Sequence, residues 1–84
     1  MINHKNVSDI LLRRQIHHGE INYGGNRKLK IYGTLHCGSG KRMKKENRVF
    51  FKSTQEAISY GYRPCGHCMK PEYHLYKQKL QSNQ

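Results

Sequence analysis

The sequence predicts a small α+β domain, a short antiparallel sheet or hairpin packed with two to three helices. Three observations carry that expectation. Apolar residues recur at helical spacing between Ser8 and His18. Two short segments of strand character flank Gly24-Gly25-Asn26, and a third, Arg48-Val49-Phe50-Phe51, follows. The third observation is the Cys65-Gly66-His67-Cys68 knuckle, which with Cys37 offers three thiolates to a metal that takes four donors from Cys, His and carboxylate. Eighty-four residues lie near the size at which apolar burial alone is marginal. One zinc ion (Zn2+) is therefore expected as the staple of the domain.

The first helix is expected from Ser8 to His18, capped by Ser8 or Asp9 and ended by Gly19. Ile10, Leu11 and Ile16, supported by Leu12, form its core-facing stripe. Glu20 to Tyr23 and Lys28 to Tyr32 then form a hairpin about Gly24-Gly25-Asn26, with Leu29 and Ile31 facing in and Lys28, Lys30 and Tyr32 facing out. Next comes a glycine-rich basic loop, Gly38-Ser39-Gly40-Lys41-Arg42-Met43-Lys44-Lys45. Arg48 to Phe51 reads as a buried strand, and Ser53-Thr54-Gln55-Glu56 as the capping box of a short helix ending before Gly61. Pro71 opens a last helix through about Leu80, and residues 81–84 should fray. There is no internal repeat and no linker, so residues 1–84 are expected to be one domain.

Composition narrows the function. Sixteen Lys and Arg against five acids give a net charge of +11, which implies an anionic partner. Nucleic acid, DNA in the first place, is the leading candidate, because no segment has the long apolar face of a membrane-surface helix. No apolar run approaches membrane-spanning length. Lys41, Arg42, Lys44, Lys45, Arg48 and Arg63 are the candidate phosphate contacts, and Tyr32 and Tyr62, each near a cationic segment, are candidates to stack on a base. The competing reading of the same charge is solubility alone, with the loop lysines contacting only solvent. The N-terminus lacks the apolar core of a signal peptide, and an odd cysteine count fits a reducing compartment, so a cytoplasmic monomer is expected.

Cys37, Asn47-Arg48-Val49-Phe50-Phe51, Glu56-Ala57-Ile58, Gly61-Tyr62-Arg63-Pro64-Cys65 and Cys68 together resemble the metal-binding domain of the Ada DNA methylation-repair proteins and the small Ada-like zinc modules appended to some bacterial nucleases. The similarity runs from about Ile31 to Cys68. It implies a zinc held by thiolates from a first loop and a knuckle, with Cys37 at the position of the cysteine that accepts a methyl group from a methylphosphotriester, and Cys65 and Cys68 as the knuckle pair. The second cysteine of the family's first loop has no counterpart, since Gly38-Ser39-Gly40-Lys41 stands there.

That departure leaves the fourth donor open. His74 heads the candidates, because helical side chains lean toward the N-terminus and its ring can reach back to the knuckle. His4 on the N-terminal arm and His36 beside Cys37 follow, and His67, water or another protein chain remain. His17 and His18 read as surface residues. Four thiolates leave a zinc site with a charge of about −2, and exchanging one for imidazole lowers that charge and the nucleophilicity of sulfur. A nucleic-acid-binding zinc module is therefore the first expectation, a stoichiometric methyl acceptor at Cys37 the second, and a protein-interaction or metal-handling module the third. No two of the five acids pair at a spacing suited to acid-base work, so an enzyme that turns over is not expected.

Overall fold

A computed structural model describes residues 1–37 and 43–82, the last two by backbone alone. The elements are β1 (Ile2–Asn3), α1 (Asp9–His17), β2 (Tyr23–Asn26), β3 (Ile31–Thr34), β4 (Arg48–Phe51), α2 (Thr54–Ser59), β5 (Arg63–Pro64) and α3 (Lys70–Ser82), with short 3-10 turns at His4–Asn6 and Lys45–Asn47. The strands form one sheet in the order β1-β4-β2-β3-β5. All neighbours are antiparallel except β3 and β5, which run parallel. The α+β class is as the sequence predicts, with a larger sheet than a single hairpin.

Alternation along the strands divides the core between the two faces of this sheet. Tyr32, Val49 and Phe51 pack with Ala57 of α2, Tyr62 and Met69 on one face. Phe50 turns the other way to meet Leu12 of α1 and Ile21, with Ile2, Val7 and Leu35 half-buried around them. Ser8 caps α1, its Oγ accepting the Leu11 amide at 3.2 Å. The expected stripe of α1 is reversed in part: Ile10 is 76% exposed, Leu11 and Ile16 are exposed as well, and Leu12 is the residue buried. Ile21 and Phe50 share that face of the sheet with Leu12, and Ile2, Val7 and Leu35 pack around them.

The hairpin lies one step further along the chain than the expected turn. Gly24-Gly25-Asn26 belongs to β2, the strand held between β4 and β3. Glycine is required there by close approach, since a Cβ on Gly25 would lie 3.0 Å from both the Phe51 ring and the Ile31 carbonyl oxygen. The turn is Arg27 to Lys30, closed by the Asn26 Oδ1, which accepts the amides of Lys28 at 2.9 Å and Leu29 at 3.1 Å. Lys30 completes it in the left-handed region at φ 58°. This register exposes Leu29 and buries Tyr32, the opposite of the expected facing. Tyr62 is buried too, so neither tyrosine presents a free face to a base.

The N-terminal residues, expected as an arm, add β1 to the edge of β4 through Ile2 opposite Phe50. α2 is capped by Ser53, whose Oγ accepts the Glu56 amide at 3.2 Å. Glu56 reaches back to the Lys52 amide at 2.9 Å, one residue beyond the usual partner of a capping box. Pro71 falls in the first turn of α3, whose backbone stays helical to Ser82.

Candidate metal centre

Parallel pairing of β5 with β3 builds the site. The Cys65 amide donates to the Tyr32 carbonyl at 2.8 Å, which sets the start of the knuckle beside the end of β3. Two residues past Gly33 the chain turns back, the Cys37 amide donating to the Thr34 carbonyl at 3.3 Å. The knuckle itself is closed by the Met69 amide on the Cys65 carbonyl at 3.0 Å. Cys37, Cys65 and Cys68, distant in sequence, thereby converge with all three Sγ atoms within 4.8 Å of one another. Zinc bound at about 2.3 Å from each sulfur of a tetrahedron requires sulfurs about 3.8 Å apart, a separation inside that limit. The three thiols fit one Zn2+.

Backbone amides already point at these sulfurs. Thr34 N–H donates to Cys68 Sγ at 3.4 Å, and His67 N–H donates to Cys65 Sγ at 3.4 Å. Burial pushes the Cys68 thiol above its ordinary pKa, the Thr34 amide opposes that shift, and the neighbouring Cys37 and Cys65 add to it. A cation at the centre would replace those protons and relieve the crowding of three sulfurs. Gly33 makes the approach possible, because a Cβ there would lie 2.7 Å from Cys68 Sγ and 3.2 Å from Cys65 Cβ. The sequence contained that signal, a glycine inside a β-rich segment, without saying what came close to it.

Among the described residues no histidine or carboxylate joins the three-sulfur cluster. His36 is exposed next to Cys37, His67 is exposed within the knuckle, and His74 is exposed on α3. His4 packs edge-on against Phe50 with ring centroids 5.4 Å apart, and its Nε2 lies 3.5 Å from Asp9 Oδ1.

The candidate phosphate contacts are spread over several elements. Lys41 and Arg42 lie outside the described residues. Lys44 and Lys45 are exposed and share a shallow depression with Lys5, a cation the sequence reading had not joined to them. Lys45 Nζ lies 3.7 Å from Asp9 Oδ1. Arg48, half-buried on β4, lines a cleft over the Phe50 face of the sheet. Arg63 on β5 lies over the Tyr73 ring at 5.4 Å, beside the knuckle.

No helix among the described residues is long and apolar enough to cross a membrane. Comparison with curated proteins and with solved structures gives no match. The family model described as the metal binding domain of Ada matches residues 7–72, a span that takes in α1, four of the five strands, α2 and all three cysteines. A match over most of the chain, together with three sulfurs gathered at the positions the resemblance implies, shows that this chain belongs to the Ada metal-binding domain family.

Proposed function

We propose that this domain is a zinc-dependent nucleic-acid-binding module, with DNA as its polymer. The observation that carries the reading is the charge: +11 on a chain of 84 residues, with Lys44 and Lys45 exposed in the segment that leads from Cys37 to β4. Phosphate neutralisation by such cations releases counterions and needs no base contact. Cys37, Cys65 and Cys68 hold the metal in this reading, and the metal ties the knuckle to the end of β3. Zinc at such a centre supplies a rigid cross-link.

Duplex binding measured across a salt series tests the reading. Neutralisation of about five phosphates gives a log-log slope near −4.5. Affinity that does not change with salt would overturn it. A second reading, methyl transfer to Cys37, is supported by the place of Cys37 in the wall of the cleft over the sheet. Mass spectrometry of the zinc-loaded protein after exposure to methylphosphotriester DNA should then find one methyl group on Cys37, and an unmodified chain would remove that reading.

A further inference from the structure

The centre and the cleft beside it belong together. The cleft encloses about 310 Å³ and is mostly apolar, with Leu29, Ile31, Leu35 and Phe50 among its lining residues. Gly24 and Gly33 stand directly opposite each other across β2 and β3, and both line it, so a stretch of its floor is bare backbone. Cys37 and Cys65 are also in its described lining. Two of the three cysteines thus border an apolar cleft, while backbone amides hold two of the sulfurs, Thr34 N–H on Cys68 and His67 N–H on Cys65.

Both geometry and sequence bear on the donor count of the described residues. The cluster holds three sulfurs. Residues 38–42 and 83–84 contain no Cys, His, Asp or Glu, so they bring no further ligand of the usual kinds. A second copy of the chain has no spare thiol either, since its three cysteines are committed to its own centre. Zinc that keeps a position for an exogenous donor is the arrangement of reactive sites, in contrast to the closed four-ligand set of structural ones.

We infer that the metal takes its fourth donor from outside the chain, a small organic thiol that coordinates as thiolate while its apolar body lies in the cleft lined by Leu29, Ile31 and Phe50. A thiolate matches the softness of a centre already built from sulfur. Its negative charge is tolerated because the chain carries +11. On coordination the thiol gives its proton to solvent, and no bond within the chain is broken. The inference rests on the metal reading of the three cysteines and is independent of nucleic-acid binding.

Cobalt substitution of the full chain tests it, because thiolate-to-cobalt absorption reports the number of sulfur donors and the visible bands report tetrahedral geometry. Phenylmethanethiol, close to 2-mercaptoethanol in acidity, should raise the thiolate absorption saturably by about one third, the step from three sulfurs to four. It should bind roughly tenfold tighter than 2-mercaptoethanol, since only its ring gains from apolar burial. Leu29→Ser should remove most of that preference, and because Leu29 is 63% exposed the change leaves the core intact. His36→Ala, His67→Ala and His74→Ala should each leave the cobalt spectrum unchanged. A spectrum indifferent to both thiols, or one altered by any single histidine substitution, would overturn the inference. Failure to bind cobalt at all would overturn the metal reading beneath it, and equal affinity for the two thiols would exclude the cleft as the seat of the ligand.

Discussion

Gly33 shows how much one hydrogen atom in place of a methyl group can decide. A Cβ at that position would stand 2.7 Å from Cys68 Sγ, well inside van der Waals contact, and the next residue carries the amide that donates to the same sulfur. Gly33→Ala should therefore weaken zinc about 10–100-fold, the range seen when groups supporting metal ligands are displaced. Gly24→Ala is the matched control, since among the described residues nothing lies closer than 3.8 Å to its Cβ, and it should leave the affinity unchanged. Competition against a chromophoric chelator measures both. Tyr62 offers a separate test. Its hydroxyl is buried without a hydrogen-bond partner among the described residues, and burial raises its pKa above the ordinary 10.0, with Arg27 opposing. The folded state thus holds the phenolic proton more tightly than the unfolded chain. The stability this provides is whole below about pH 10 and is lost as pH rises through the higher folded value. Unfolding measured along an alkaline series should show that fall. Tyr62→Phe should reduce it and add about 1 kcal/mol at neutral pH by removing an unpaired hydroxyl, with Tyr32, also raised by burial, retaining the rest.

At the scale of elements, short pieces are held by caps and neighbours more than by length. α2 spans only Thr54–Ser59, too short to persist alone in water, and its first turn depends on Ser53 and Glu56. Ser53→Ala should cost about 1 kcal/mol, read as a lower urea midpoint with an unchanged slope. The consequence reaches the site, because Ala57 at the centre of α2 packs on Val49 and Phe51, and the chain leaving α2 becomes β5 and then the knuckle. α3 is tied to the knuckle by Tyr73, whose ring would lie 3.0 Å from a Cβ on Gly66. Arg63 and Lys77 lie over the same ring at 5.4 and 5.5 Å, so a tyrosine on α3 gathers two cations.

For the whole molecule, metal and fold are expected to be one event. Among the described residues the core is two small clusters, six buried residues on one face of the sheet and three on the other. Such a core leaves little margin against conformational entropy. Free zinc at roughly a thousand times its dissociation constant adds about 4.1 kcal/mol to the folded state. Chelation should therefore lower the thermal midpoint steeply or abolish the cooperative transition, and circular dichroism with and without chelator measures it.

Local chemistry made much of this legible in the sequence. The Ser8 cap, the Ser53 and Glu56 pair and the β-branched and aromatic strand at Arg48–Phe51 each depend on near neighbours, and each stands where the sequence placed it. The readings that changed all depended on partners far along the chain. Gly24 and Gly25 spell a turn to their neighbours but serve as strand between β4 and β3, which moved the register and exchanged the facing of Leu29 and Tyr32. Ile2–Asn3 and Arg63–Pro64 are strands only because β4 and β3 offer them edges. The sequence by itself determined which atoms can bind the metal, since thiolate chemistry belongs to the residue. Only the tertiary structure decided that three of those atoms meet beneath a glycine and beside an apolar cleft, because that meeting depends on the parallel pairing of two strands that have β4 and α2 between them in sequence.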